Sequence, residues 1–408
     1  ANLRYLWHKD MTSYDGEEPA WAMLLQESLA VIYRHLNDLK RAVVGLANQY
    51  RYVPMLGRTH GQGAELQTFG KRCLTWLRQL EMAEQTLHRN SKDLCYSKIS
   101  GAIGNYTGIN PELEEVALGF LGLKPFYGAT QIIPRILYVS VADALTNLTL
   151  VVGKIANDIK LGARSPTWPI YQEPFSKKQT GSSAMPHKKN TILCENTLGM
   201  TKLALGYNMS IKETTMTDEE RTIEQSSVER VAWTDLFHVT ARALKVMTKV
   251  LTGLKVMPDH MWHEIHATKD CYASSSAKEV LKELGRGCIL AKDAYLIVQL
   301  AAFNLFEPSV DAKAWRETAP IYMNLTSCEK VTPKQLLPKS DLTLQSIISQ
   351  GQLRVSLELD VSWTRVADWN KALLEIFADP DNLSCWNEIF QFSHQLRNER
   401  FLFEKILG

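Results

Sequence analysis

The chain has no run of about 18 uninterrupted apolar residues, so no membrane span is read from its text. Its first ten residues, ANLRYLWHKD, lack the basic and apolar regions of a secretory signal. Net charge is almost absent: 46 lysines and arginines face 44 acids, a formal +2. That balance argues against a nucleic-acid surface, which needs a broad basic face to neutralise phosphates. No CxxC pair occurs; the seven cysteines, at 73, 95, 194, 271, 288, 328 and 385, are odd in number and unpatterned, as reduced thiols of a cytoplasmic protein are. Period-two alternation is rare, no internal repeat or low-complexity tract stands out, and a sheet-dominated fold is excluded. With 408 residues, 45% of them hydrophobic and 22% charged, the chain has the composition of a globular protein of two or three domains.

What is present is helical periodicity. Leu25, Leu29, Ile32, Leu36, Leu39, Val43 and Leu46 step by four and three. Phe69, Cys73, Trp76, Leu80, Ala83 and Leu87 do the same, as do Val141, Leu145, Leu148, Val152, Ile155 and Ile159. A fourth seam runs Ala232, Leu236, Val239, Ala243, Val246, Val250, and a fifth helix is expected after Thr191. Such spacing keeps apolar side chains on one stripe and suits long helices packed at a shallow angle. The fold class is therefore mainly α, a long-helix bundle. Apolar pairs such as Val43–Val44 and Val151–Val152 point to contacts on more than one side, hence to other subunits, with a monomeric bundle the open alternative. The seams weaken after Gly285, so the expected organisation is an N-terminal remnant at 1–24, the bundle at 25–285, and a small C-terminal helical domain at 286–408.

Chemistry is concentrated in the polar connections. GSSAMPHKKN, Gly181 to Asn190, packs Ser182, Ser183, His187, Lys188 and Lys189 into ten residues. A solvated basic loop is the bland reading, but a helix starts directly after it, and helix N-termini face anions. A serine there acts as a base only if cations and N–H donors stabilise its alkoxide, and the same field stabilises charge on a carboxylate beside a carbanion. His60 in GRTHGQG is placed as a general acid, although a lone histidine is more often structural. ERTIEQSSVER collects Arg221, Ser226, Ser227 and Arg230, a pattern equally suited to an anion clamp and to surface ion pairs with its glutamates. HMWHEIH, with His260, His263 and His266, lacks the HExxH pattern of a zinc site, so a structural or surface role is expected.

Taken together these segments resemble the fumarase/aspartase superfamily and, within it, the adenylosuccinate lyase family. GSSAMPHKKN is similar to its GSSxMPxKxN signature, GRTHGQ with TFGKR to its histidine region, HKDMTSYD to HxxxTSxD, and ERTIEQSSVER to ERDxxxSSxER; SGAIGNY and Thr130-Gln131 also fit. The matches run in order across roughly residues 5 to 290.

The resemblance implies elimination of fumarate from adenylosuccinate, giving AMP, and from the succinyl-carboxamide ribotide SAICAR, giving AICAR. It implies no metal or organic cofactor, and a homotetramer with active sites shared between chains. It makes Ser182 the general base and His60 the general acid. Thr12, Ser13, Lys188 and Asn190 would hold the succinyl carboxylates, with Thr59 beside His60, and Gln131 would bind a substrate amide. Arg221, Ser226 and Arg230 would hold the nucleotide, with His8 near its phosphate. The basic loop would be a lid over a substrate bearing two carboxylates and a phosphate. Departures are Gly63 and Thr191 where the family commonly has proline, and the family's further histidine upstream of TSxD, which has no counterpart here. The rivals are another fumarate-releasing lyase, such as argininosuccinate lyase, and a non-catalytic structural homologue. TFGKR and ERTIEQSSVER speak against the first, and the presence of both Ser182 and His60 against the second.

Overall fold

The computed structural model describes residues 8–164, 169–176, 185, 187–306, 341–356 and 358–408. Of the described residues 67% are helical, and the chain forms two compact units, one of Ala1–Tyr52, Phe69–Met257 and Ile406–Gly408, the other of Val53–Thr68 and Pro258–Lys405.

The first unit is the bundle: α1 (Ser13–Gln49), α2 (Phe69–Asn90), the short α3 (Pro111–Phe120), α4 (Ile136–Gly162), α5 (Ile192–Glu213) and α6 (Ile223–Thr252). Every residue of the first three seams is buried. In α6 the seam holds except at Val246, which is half-buried, while Met247 is fully enclosed. α4 packs against α2, α5 and α6 at once, which explains its composition. It is long and apolar enough to cross a membrane, with mean hydropathy 1.6, yet 61% of that window is buried inside the protein; a helix apolar on most sides belongs in a core. Two of its polar groups pair across the bundle, Thr149 with Thr240 at 2.9 Å and Asp158 accepting from the Trp76 indole N–H at 2.8 Å, as is usual for buried polar groups.

The second unit contains a β-hairpin, β1 (Pro54–Thr59) and β2 (Gln62–Thr68), antiparallel with Thr59 opposite Gln62. With it fold α7 (Pro258–Ala267), α8 (Ser274–Leu284), α9 (Ala291–Phe306) and the helices Leu344–Ser349, Trp363–Phe377, Pro380–Glu388 and Phe392–Gln395. Their core joins Leu281, Ile297, Leu344, Leu373 and Trp386 with Leu56 and Leu66 of the hairpin.

The breaks between units, at 52/53, 68/69 and 257/258, differ from the expected edges at 24/25 and 285/286. α1 is continuous across residue 24 because Thr12 and Asp15 form a reciprocal capping box that starts it at Ser13. Its buried face extends back from Leu25 through Ala22 and Glu18 to Tyr14. The hairpin, read from the text as a connection between helices, belongs by its packing to a unit whose other residues lie some 200 positions downstream.

Candidate active site

The start of α1 is built around one carboxylate. Asp15, 1% exposed, accepts the Thr12 N–H at 2.7 Å, the Ser100 and Gly101 N–H groups at 3.0 and 3.1 Å, and the Lys98 ammonium at 2.7 Å. Lys98 is itself fully enclosed and donates onward to the Gly101 and Gln131 carbonyls at 2.8 and 3.2 Å. Burial by itself would raise the Asp15 carboxyl, but the Lys98 and backbone donors outweigh it and hold it below the usual carboxylate value. Thr12, SGAIG and Gln131 are thereby tied into one knot. The Thr12 hydroxyl is turned inward onto Asp15 at 3.3 Å, whereas Ser13 is exposed.

Arg221 immediately precedes α6, outside its helical period, and so reaches sideways. Its guanidinium stacks on the Tyr14 ring at 4.1 Å and donates to Gln131 Oε1 at 3.0 Å. Ser226 and Arg230, one turn apart on α6, face a different recess, of about 200 Å³, with Tyr14, Glu17, Glu18, Trp21, Arg135 and Glu229. The Ser226 hydroxyl donates back to the Ile223 carbonyl, and Arg230 lies, largely exposed, 3.8 Å from Glu17. Below them Arg135 bridges Glu18 at 2.6 Å and Glu229 at 2.8 Å, and Tyr138 donates to Glu18 at 3.0 Å. Burial pushes the Glu229 carboxyl up despite Arg135 beside it. Around this cluster the Ser100 Oγ, Arg221 Nε and Thr222 Oγ1 atoms are buried with no hydrogen-bond partner, and unpaired buried polar atoms call for a ligand or water.

Lys188 and Asn190 line a separate cleft in the same unit with Arg164, Tyr171, Glu173 and Glu195. Here the helix-terminus expectation takes a specific form. The first N–H groups of α5, on Leu193 and Cys194, donate at 3.0 and 3.1 Å to Glu173, so the anion at this terminus belongs to the chain itself. Ser182 lies outside the described residues.

In the second unit His60 and Gly61 form the two-residue turn of the hairpin, with φ 51 and 78. Positive φ at both central positions is a type I′ turn, whose twist matches that of paired strands. Thr59 and His60 are both exposed at this tip. His8, also at positive φ (63), is exposed ahead of α1, its carbonyl accepting the Met11 N–H at 3.4 Å.

The structure thus brings Thr12, Gln131 and Arg221 together in the first unit, and sets Ser226 with Arg230, and Lys188 with Asn190, in their own recesses. HMWHEIH lies on α7, where Trp262 packs on His266 and Phe392 at ring separations of 4.7 and 5.1 Å, which gives that segment a packing role.

Comparison with known proteins shows the family and the fold. A lyase family profile matches residues 5–206. The adenylosuccinate lyase of Thermotoga maritima is 34% identical over 336 residues, covering 82% of this chain and 74% of that one. That of Aquifex aeolicus is 35% identical, covering 77% and 70%. The chain belongs to the adenylosuccinate lyase family. Among solved structures, a fumarate lyase from Mesorhizobium sp. BNC1 aligns with TM-score 0.64 at 19% identity over 94% of this chain and 77% of that one. The 3-carboxy-cis,cis-muconate lactonizing enzyme of Pseudomonas putida aligns with TM-score 0.66 at 18% over 97% and 78%. Both share the fold.

For this family member the text alone missed the groups that brace the candidate residues: Asp15, Lys98, Glu18, Arg135 and Glu173. Lys98 lies two residues before the start of SGAIGNY and Asp15 closes TSYD, so proximity to a motif was a usable signal for those two. Nothing local marks Arg135 or Glu173, whose partners lie on other helices.

Proposed function

We propose that this lyase eliminates fumarate from adenylosuccinate, leaving AMP, and from SAICAR, leaving AICAR. The observation that carries the proposal is the knot at the start of α1. It gathers the TSYD, SGAIG and Thr130-Gln131 segments, with Arg221 of ERTIEQSSVER, around buried polar atoms still lacking partners. Cations, amides and hydroxyls of this kind suit a ligand carrying carboxylates and a phosphate.

In the proposed reaction Ser182, as alkoxide, takes the proton from the carbon beside one succinyl carboxylate. The C–H electron pair becomes the new C=C bond of fumarate and the C–N pair leaves on nitrogen, which receives a proton from His60. Lys188 and Asn190, with Thr12 and Ser13, hold the carboxylates as charge builds on one of them. Because Thr12 already donates to Asp15, Ser13 is the stronger donor of that pair. Gln131 presents its amide N–H while Arg221 occupies its oxygen. Arg221, Ser226 and Arg230 take the nucleotide side with His8 near its phosphate, and Thr59 stands beside His60. We assign the active form to a homotetramer in the cytoplasm, with sites completed by neighbouring chains. The exposed apolar residues Ile192, Leu203, Leu205 and Met209, spread over more than one face of α5, support that assembly, since exposed apolar side chains gather at interaction surfaces.

The test is to incubate the protein with adenylosuccinate, SAICAR, argininosuccinate and malate and follow fumarate. Release from the first two only is expected. Ser182→Ala and His60→Ala should each lower turnover by about two to four orders of magnitude with helix content unchanged. Wild-type turnover in either variant removes that residue from the mechanism.

A further inference from the structure

The hairpin that carries His60 is anchored along its whole length by the unit made of residues 258–405. At its root Thr68, 3% exposed, donates its N–H and its hydroxyl to the two oxygens of Glu399, at 2.8 and 2.5 Å. Midway, Leu56 and Leu66 are buried in that unit's core with Ile265, Tyr272 and Ile289. β1 packs on α7, and β2 on the short turn at Cys271–Ala273 and on the helix Phe392–Gln395. At the tip the Arg58 guanidinium donates to Glu264 of α7 at 3.0 Å, and its other arm reaches the Gly61 carbonyl at 3.5 Å.

An isolated two-stranded hairpin is marginal in water, so the direction of its turn is set by what holds it. A bulge sets Ala64 and Glu65 of β2 against Gly57 of β1, between the Leu56–Leu66 and Arg58–Gly63 pairs, and the His60 backbone is confined to the left-handed region. The imidazole therefore points wherever Arg58 and its partner fix the turn. We propose that Glu264, acting through Arg58, is a positioning residue for His60, and that the C-terminal unit serves as the mount of the acid. This rests on the assignment of His60 made above.

The pair is half-exposed, with side chains 39% and 21% accessible, and such pairs contribute little to stability. Loss of Glu264 should therefore leave the fold intact and act through geometry, where a displacement of about 1 Å costs on the order of a hundredfold in rate. Glu264→Gln is expected to lower kcat at least about tenfold, with KM for adenylosuccinate within about twofold and the melting temperature unchanged. Arg58→Met should do the same, the double variant should be no worse than Arg58→Met alone, and Glu264→Asp should recover part of kcat. Full kcat in Glu264→Gln, additive losses in the double variant, or a fall in melting temperature that tracks the fall in kcat would each overturn the proposal. His60→Ala is measured alongside. If it turns over normally, the acid assignment fails and this inference with it; if it is inactive while Glu264→Gln is fully active, only the strut is lost.

Discussion

Asp15 shows how much one buried side chain organises. Five donors from two segments, Thr12 and residues 98–101, converge on it, and these outweigh the burial that would otherwise raise its pKa. A carboxyl held below its unfolded value near 3.9 contributes stability that is fully present above about pH 4 and is lost as pH falls through the depressed folded value. Asp15→Asn removes that contribution and leaves Lys98 buried beside a neutral group, a loss of about 3–5 kcal/mol for a broken buried pair. The gap in melting temperature between wild type and Asp15→Asn should be constant from pH 7 to 5 and narrow below pH 4. A gap independent of pH down to 2 would mean that the Asp15 charge adds nothing to folding. Pairing Asp15→Asn with Lys98→Met should recover much of the stability, because the orphaned ammonium is gone.

At the scale of elements the seams and the turns behave differently. Helices α1, α2, α4 and α6 were legible because a four-three alternation admits only one buried stripe. The hairpin was not, since PMLGRTHGQGAELQT has little alternation and its strands are fixed by a bulge, a type I′ turn and the C-terminal core. Two glycines measure these constraints. Gly61, at φ 78, has open space where a Cβ would sit, so Gly61→Ala costs only left-handed strain, about 1–2 kcal/mol. Gly104 has the same φ, but a Cβ there would lie 1.9 Å from the Ala129 carbonyl oxygen, so backbone must move. Gly104→Ala should therefore be clearly less stable than Gly61→Ala in thermal melts. It should also raise KM for adenylosuccinate, because Gln131 lies two residues beyond the displaced carbonyl. Equal melting temperatures for the two variants would refute the close approach.

At the scale of the whole molecule, the exposed apolar residues of α5 bear on how many chains build one active site. If Ser182 and His60 of one active site come from different chains, mixing inactive Ser182→Ala and His60→Ala proteins after mild dissociation creates some sites with both groups intact. Fumarate release should then return to on the order of a quarter of wild type, the statistical share of intact sites for random mixing. Sedimentation of the wild type should give a tetramer; a monomer, or a mixture that stays inactive, would exclude shared sites.

By itself the sequence determined the helical class, the seams and the ordered motifs that mark the family, because periodicity and short signatures are local properties of a chain. It also supplied the residues of the proposed chemistry, including Ser182 and His60. Only the tertiary structure decided what braces the candidate residues: that Lys98 joins Asp15 to Gln131, that Glu173 caps the start of α5, and that His60 rides on residues 258–405. The physical reason is range. Burial, ion pairing and helix capping between residues tens to hundreds of positions apart depend on where the packed core brings them, and no local pattern carries that information.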